Sequence, residues 1–179
     1  MSFNPTAPIA ELNRILGVIR NLPTEVGVEA VQFFKEGFNK QGWQGDSGLD
    51  PWVQRRDPIS GRNLLIGKGT ANLKKGITKR VIGRSVIITV EGVAEKYADI
   101  HNFGGTIQVT NTPALKKWAW AMYYKEKEGG SATFASMYKA MALSKKPHFE
   151  VKIPKRQFIG ESRQLQKRLN EYIQRRLMG

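Results

Sequence analysis

The 179-residue sequence contains no cysteine, and this absence excludes several classes of protein. A disulfide-stabilised fold, a thiolate nucleophile and a cysteine zinc site all need side chains that the chain lacks. Histidine is scarce as well, because only His101 and His148 are present. Neither belongs to a spacing such as HExxH that binds a transition metal. We therefore expect no metal and no other cofactor.

Long apolar segments are also missing. No stretch approaches the roughly 18 residues that a membrane-spanning helix needs. The first residues lack the basic and apolar regions of a signal peptide. The sequence therefore predicts a soluble protein that is not exported and has no membrane partner.

Acidic residues are few relative to basic ones. The chain has 15 aspartates and glutamates against 29 lysines and arginines, which gives a formal net charge of +14 and an isoelectric point near 10.1. A surface this basic attracts polyanions, and DNA or RNA is favoured over anionic lipid because no amphipathic anchor stands out. The same charge is also compatible with a role in solubility alone, so both interpretations stay open.

Apolar periodicity predicts two helices at the N-terminus. The first covers residues 7–21, and its apolar stripe consists of Ile9, Leu12, Ile15, Leu16 and Ile19. Pro23 favours the start of a second helix, which extends to about Lys40. The wide apolar face of this second helix consists of Val26, Ala30, Phe33, Phe34 and Phe38.

The segment at about residues 42–61 has a different composition. Glycine and proline interrupt any periodicity, yet Trp43 and Trp52 lie within the segment. A loop of this length is uncommon in a compact domain and usually has a function, and disordered segments are poor in aromatic residues. We interpret it as an arm that its tryptophans attach to its own chain or to a neighbouring subunit.

A β-hairpin is predicted in the middle of the chain. Residues 77–82 and 85–90 are rich in β-branched side chains, and Gly83-Arg84 between them suits a tight turn. Residues 106–110 and 149–153 predict two more strands. We expect the strands to form a small antiparallel sheet.

Further helices are predicted around this sheet. Thr112 followed by Pro113 has the pattern of an N-cap and first helical residue, at the start of a helical insertion at about residues 112–145. The last helix begins near Ser162, and its apolar face consists of Leu165, Leu169, Tyr172, Ile173 and Leu177. The predicted fold class is α+β, as a single domain over residues 1–179. In it, N-terminal helices and a C-terminal helix flank the sheet, and the long arm projects.

Candidate catalytic patterns are incomplete. Glu150-Val151-Lys152 matches half of a metal-dependent nuclease signature, and Glu91 is the nearest candidate for the missing acidic residue. Gly67-Lys68-Gly69-Thr70 lacks the Ser or Thr that follows the lysine of a phosphate-binding loop. Asp99 and His101 are predicted to share one face of a strand without forming a catalytic relay. We therefore expect a protein that is not an enzyme.

Two segments have a composition suited to contact rather than catalysis. Residues 97–105 read Tyr-Ala-Asp-Ile-His-Asn-Phe-Gly-Gly, with Tyr, Ile and Phe predicted on alternate sides of an extended chain before a double-glycine turn. Residues 153–160 read Ile-Pro-Lys-Arg-Gln-Phe-Ile-Gly, and Pro154 prevents this stretch from being a central strand.

In this order and spacing, the two segments resemble the motifs of the phage virion morphogenesis, or tail-completion, family of Mu-like tailed phages and their prophages. The first motif is matched by Tyr97, Ala98, Ile100, His101, Phe103, Gly104 and Gly105. The second motif is matched by Ile153, Pro154, Arg156, Phe158 and Gly160.

The resemblance implies a structural protein at the head–tail junction of a virion, assembled in the host cytoplasm. Such a protein forms a homo-oligomeric ring, contacts neighbouring neck or tail proteins and needs no cofactor. Genomic DNA that passes the ring would meet its basic surface. In this setting the motif residues hold the turn and core or contact another subunit, and Arg156 has a structural hydrogen-bonding role or contacts a subunit or DNA. The alternatives are a basic nucleic-acid-binding module and a metal-dependent nuclease.

Overall fold

A computed structural model describes residues 6–54, 63–66 and 70–179, and its fold class is α+β, as the sequence predicts. The helices are α1 Thr6–Lys40, α2 Asn72–Gly76, α3 Glu95–Phe103, α4 Pro113–Gly129, α5 Ala132–Leu143 and α6 Arg163–Met178. The strands are β1 Gly42–Gln44, β2 Leu49–Pro51, β3 Ile77–Ile82, β4 Ser85–Val90, β5 Gly105–Thr110 and β6 His148–Ile153.

The strands form three separate antiparallel pairs in the described part of the chain. β1 pairs with β2, β3 with β4, and β5 with β6. The predicted hairpin around Gly83-Arg84 is confirmed to the residue. The prediction of one small sheet is wrong, because the strands predicted at 106–110 and 149–153 pair with each other and not with the hairpin.

The chain divides into two compact units. One contains the residues up to Gly104 and those from Pro154 onward, and the other contains Gly105–Ile153. The sequence predicts a single domain with a helical insertion at about 112–145, and α4 and α5 occupy these positions within the second unit. The two motifs therefore flank the second unit in sequence.

The core of the first unit forms around the C-terminal half of α1. Phe38 is fully buried and Phe158 is 2% exposed, with their ring centroids 5.5 Å apart. Trp52 packs edge-on against Phe38 at 5.3 Å, and the Trp43 ring stacks on Phe34 at 6.1 Å. The described part of the predicted arm, the β1–β2 hairpin with its two tryptophans, is thus folded onto its own chain. Residues 55–61 of the arm lie outside the described residues.

α1 is one helix of 35 residues that runs through Pro23, so the prediction of two N-terminal helices is wrong. A proline inside a helix removes one backbone hydrogen bond and costs about 3 kcal/mol. α6 lies antiparallel to α1 and bonds to it on both sides of this position. Arg14 donates to the carbonyl oxygen of Leu177 at 2.9 Å, before Pro23. Arg168 binds Glu36 at 2.9 Å, after it. We infer that this packing offsets the cost of the proline.

The N-terminal half of α1 exposes most of its predicted apolar stripe. Four of the five stripe residues are 47–60% exposed, and they are Ile9, Leu12, Leu16 and Ile19. The covered side of this half of the helix instead contains Val18, which is buried, with Ile15 partly buried. We refer to the four exposed residues as the α1 stripe.

Residues 97–103 are helical, so the prediction of an extended segment there is wrong. Only Ile100 in α3 is β-branched, and Glu95 lies in the first turn, where a negative charge stabilises a helix. Gly104 follows with φ 74° and ψ 176°, a backbone conformation that glycine adopts readily and other residues rarely do. Tyr97 and His101 lie one turn apart with their rings edge-to-face at 5.9 Å.

The second unit consists of the α4–α5 pair and the β5–β6 ribbon. Thr112 caps α4 by accepting a hydrogen bond from the Leu115 amide at 3.2 Å, which confirms the predicted N-cap. Ala119, Ala135 and Tyr138 are buried in this unit.

No helix in the described part of the chain combines the length and the apolar character that crossing a membrane requires.

Candidate functional site

The two motifs are joined by hydrogen bonds through the last turn of α3. The Asn102 side-chain oxygen accepts from the backbone amides of Phe158 at 2.9 Å and Ile159 at 3.1 Å. The Arg156 amide donates to the carbonyl oxygen of His101 at 2.8 Å. Asn102 is buried, so these bonds satisfy polar groups that water does not reach. They fix the second motif as an extended segment beside α3.

Asn102 is a residue that the sequence analysis missed. It lies inside the first motif, but it is not one of the residues on which the resemblance to the family pattern rests. An asparagine near a helix end is usually read as a local cap or turn residue. Its actual partners are 56 and 57 residues away in sequence, and no local signal points to them.

The arm is bonded to the second motif at the same place. Arg156 is 8% exposed, and its Nε donates to the carbonyl oxygen of Val53 at 2.9 Å. The Trp52 indole N–H donates to the carbonyl oxygen of Gln157 at 2.7 Å. The side chains of Arg156 and Trp52 therefore each bond a backbone carbonyl of the other segment, and they join the described part of the arm to the second motif.

α6 is attached to the β1–β2 hairpin through Ser162, the residue that precedes its first turn. The Ser162 hydroxyl accepts from the Leu165 amide at 3.2 Å, as an N-cap, and donates to the carbonyl oxygen of Gln44 at 2.6 Å. Gln44 is buried and donates through its side chain to the carbonyl oxygen of Phe33 at 2.9 Å. This chain of bonds links α6, the hairpin and α1, and it confirms the predicted helix start near Ser162.

His101 is half-buried at this junction. Burial lowers the pKa of its imidazole below the ordinary value, and the nearby positive charge of Arg156 lowers it further. The neutral form is therefore favoured. Asp99 lies two residues earlier on the same helix, and side chains two apart on a helix do not face each other. The prediction that Asp99 and His101 share a face is wrong, because the segment is a helix.

The motif residues differ in exposure. Ala98 and Phe158 are buried, Tyr97, Ile100 and His101 are partly buried, and Phe103 is 68% exposed. Gly160 has φ 157°, and a Cβ there would overlap the side chain of Gln157. The remaining motif residues lie at the boundary between the two units in sequence, and they are Gly104, Gly105, Ile153 and Pro154.

A groove of about 580 Å³ lies in the first unit, beside residues of both motifs. Its walls are the end of β4, one side of α3 and the extended segment after Arg156. We call it the motif groove, and its lining residues are Ile88, Thr89, Val90, Glu95, Ala98, Asp99, Asn102, Phe103 and residues 157–161. It is the place where the exposed ring of Phe103 lies next to the hydrogen-bonded junction.

The half-signature of a nuclease is not completed on the neighbouring strand. Glu150 lies in β6 opposite Gln108 of β5, an amide rather than a carboxylate. Glu91 follows β4 in the first unit and pairs with Arg80 at 3.7 Å. Across the described ranges, no group of three or more His, Cys, Asp or Glu residues is placed to hold a metal ion. Residues 67–69 of the loop-like Gly-Lys-Gly-Thr stretch lie outside those ranges.

The geometry defines an α+β protein in which two sequence motifs form one hydrogen-bonded junction beside an open groove. The model of the phage virion morphogenesis family matches residues 18–178, nearly the whole chain. The protein belongs to this family. No curated protein and no solved structure matched the chain. Three residues of the α1 stripe, Ile9, Leu12 and Leu16, precede the matched range.

Proposed function

We propose that the protein is a structural subunit of the head–tail junction. It forms a homo-oligomeric ring, contacts neck or tail proteins, and acts in tail completion or head–tail joining without catalysis. Membership of the phage virion morphogenesis family indicates a role in virion assembly. The observation that carries the finer proposal is the exposed apolar surface of the α1 stripe, because exposed apolar patches mark interaction sites.

The α1 stripe has the geometry of a contact seam. Its residues are separated by three, four and three positions, the spacing at which apolar side chains of paired helices meet. The charged neighbours Glu11 and Arg14 bind each other at 2.8 Å on the same helix. Another protein can therefore pack against the exposed side of α1 that carries this seam.

The polar side chains at the motif junction support a structural role. Asn102 and Arg156 are buried and bond to backbone groups, and Ser162 bonds a carbonyl oxygen and caps a helix. These side chains hold segments together, which is what a rigid assembly subunit requires. A catalytic residue would instead present its reactive atom to a substrate.

The test is removal of the gene from the phage. We expect heads and tails to accumulate without being joined, or tails to lack their completed end, in electron micrographs of the lysate. A plasmid copy of the wild-type gene should restore infectious particles, and the protein should sediment with purified virions. Normal yields of joined, infectious particles without the gene would overturn the head–tail role.

The ring is tested by mass measurement. Native mass spectrometry of the purified protein, alone and with isolated tails, should show a closed oligomer of defined copy number. A variant with Leu12→Gln and Leu16→Gln should shift the protein toward monomer. Lys167→Ala, on the exposed side of α6, is the control and should leave the oligomer unchanged. A wild-type protein that stays monomeric in both settings would contradict the ring.

Contact with DNA is a second candidate activity, and the surface of α4 favours it. Trp118 and Tyr124 are exposed there, and the helix also carries Lys117, Lys125 and Lys127. Lysines among exposed aromatic rings suit contact with phosphates and bases.

Fluorescence anisotropy of labelled DNA across a salt series would measure this contact. If these lysines bind phosphates, removing each should lower the salt slope by about 0.7 to 0.9. Unchanged slopes in Lys125→Ala and Lys127→Ala would count against a DNA contact through α4.

A further inference from the structure

One wall of the motif groove is the edge of β4 that does not face β3. In the described part of the chain β4 pairs with β3 and with no other strand, and Ile88, Thr89 and Val90 line the groove. Neighbouring residues of a strand point their side chains to opposite faces of a sheet. Three consecutive lining residues therefore place the edge of β4, rather than one of its faces, against the groove.

The register of the hairpin identifies the main-chain groups on this edge. Ile77 lies opposite Val90, and beside that pair the amide of Glu91 donates to the carbonyl oxygen of Gly76 at 2.9 Å. Opposite pairs in an antiparallel ladder alternate between hydrogen-bonded and non-hydrogen-bonded. Val90 and Ile88 therefore direct their N–H and C=O groups away from β3, where an added extended segment is able to bond to them.

The charge of the groove is opposite in sign to that of the whole chain. Three exposed carboxylates, Glu95, Asp99 and Glu161, lie among its described lining residues, and none of those residues is basic. The whole chain has a formal net charge of +14. Complementary charge favours a basic occupant of the groove, and a polyanion such as DNA is repelled from it.

The carboxylates of α3 are spaced like alternate residues of a strand. Glu95, Asp99 and Phe103 follow each other at intervals of four, so they lie along one side of the helix, and all three are exposed. Four residues of a helix rise by about 6 Å, and two residues of a strand rise by about 6.6 Å. An extended segment that runs along α3 therefore matches the two carboxylates when its basic residues are two positions apart, with an apolar residue two positions further along for the ring of Phe103.

We propose that the motif groove binds an extended segment of a neighbouring virion protein, and that this segment carries lysine or arginine at alternate positions. The segment adds to the edge of β4 through main-chain bonds to Ile88 and Val90, and its basic side chains pair with Glu95 and Asp99. The inference rests on the proposed head–tail role, and it names the chemistry by which one neck or tail protein is recognised.

Binding is tested with a labelled synthetic peptide, Val-Thr-Arg-Thr-Arg-Thr-Val, and the purified full-length protein in a fluorescence anisotropy titration. The groove variant Glu95→Gln with Asp99→Asn should bind the peptide about tenfold more weakly than wild type, the factor that corresponds to 1.4 kcal/mol. The control Glu128→Gln with Glu171→Gln changes two exposed carboxylates outside the groove lining and should bind like wild type. No binding by wild type, or equal affinity in the groove variant, would overturn the proposal.

A second peptide tests the spacing without any change to the protein. Val-Thr-Thr-Arg-Arg-Thr-Val has the same composition and charge, but its arginines are adjacent and point to opposite sides of an extended chain. It should bind more weakly than the first peptide. Equal affinity of the two peptides would contradict the match to alternate positions.

Hydrogen exchange distinguishes strand addition from attraction by charge alone. In the complex with the first peptide, the amides of Ile88 and Val90 should exchange more slowly, because the peptide backbone now accepts from them. The amide of Thr89, which the register pairs with Thr78 inside the hairpin, should change little and serves as the control. Unchanged exchange at Ile88 and Val90 in the saturated complex would overturn strand addition.

Native mass spectrometry tests a second copy of the chain as the occupant. The oligomer should keep its copy number when the first peptide is added, apart from the mass of the bound peptide. Dissociation by the peptide would show that a second copy fills the groove, and it would overturn the choice of a different protein.

Infectious titre connects the groove to assembly. A phage with the groove variant should form oligomers of wild-type mass but at least about tenfold fewer infectious particles, while the control variant gives a normal titre at an equal melting temperature. A normal titre for the groove variant would overturn the proposal. Normal joining of heads and tails without the gene would instead remove the proposed head–tail role, and peptide binding by the purified protein is judged separately from it.

Discussion

The two halves of α1 have similar apolar patterns, but the apolar face of one half is buried and that of the other half is exposed. In the C-terminal half, Phe33, Phe34 and Phe38 are buried under the β1–β2 hairpin and the second motif. In the N-terminal half, the α1 stripe is exposed although its residues repeat with the same helical period. The period of a helix thus determines that an apolar face exists. The rest of the chain, or another chain, determines what covers it.

The difference also shows how the long helix is supported. α6 contacts α1 on both sides of Pro23, through Arg14 before it and through Glu25, Glu29 and Glu36 after it. The side of the N-terminal half that faces α6 is covered, and the α1 stripe lies away from it. α6 therefore stabilises the continuous helix and leaves the α1 stripe exposed.

The largest effect is expected in the buried half of α1. Phe38→Ala should lower the free energy of unfolding by about 3–5 kcal/mol, because it removes a fully buried ring that contacts Trp52 and Phe158. That is a large share of the roughly 5–15 kcal/mol that stabilises an ordinary domain. Urea unfolding followed by circular dichroism measures it. A variant that unfolds like wild type would show that this core is not formed as described.

A gain in stability is expected at the boundary between the halves. Pro23→Ala restores a backbone donor inside a helix and should raise the free energy of unfolding by up to about 3 kcal/mol. The helical circular dichroism signal should be unchanged, since α1 is already continuous. A loss of stability would mean that the proline ring makes packing contacts worth more than the missing hydrogen bond.

A smaller loss is expected where α6 binds the C-terminal half. Arg168 donates to both carboxylate oxygens of Glu36 at 2.9 Å and to Glu29 at 3.1 Å, and all three side chains are partly buried. Arg168→Ala should lower the free energy of unfolding by about 1–2 kcal/mol, between the values for exposed and buried charged pairs. Lys167, which is adjacent and exposed, provides the control. Lys167→Ala should change the free energy of unfolding by no more than about 0.5 kcal/mol. Equal melting temperatures for the two variants would contradict the α1–α6 ion pairs.

The smallest effect on folding is expected in the α1 stripe. Leu12→Gln and Leu16→Gln together should change the free energy of unfolding by less than about 0.5 kcal/mol per residue, because both side chains are already largely exposed. Their effect should appear in assembly. Thermal melts and particle yield are compared for the same variants, and a stability loss as large as that of Phe38→Ala would show that the chain covers the stripe itself.

Elements with strong local signals were predictable from the sequence. The hairpin at Gly83-Arg84, the cap at Thr112 and the helix start near Ser162 depend on residues within a few positions of each other, and the structure confirms them. The helix at Glu95–Phe103 was not predicted, although Tyr97, Ile100 and Phe103 are three residues apart, a spacing that suits a helix better than a strand. The junction was not predictable either, since Asn102 finds its partners across more than fifty residues.

The α+β class, several helix and strand ends and the two motifs that resemble those of the family were predictable, since these follow from local periodicity and from the order of residues. Three features were known only once the fold was seen: Pro23 lies within one helix, Trp43 and Trp52 pack on their own core, and the α1 stripe is exposed. The physical reason is that burial and hydrogen bonding between distant segments depend on how the chain packs. A proline favours the end of a helix, and an apolar stripe favours burial. Contacts made elsewhere in the chain can keep the proline within a helix, or can leave the stripe exposed.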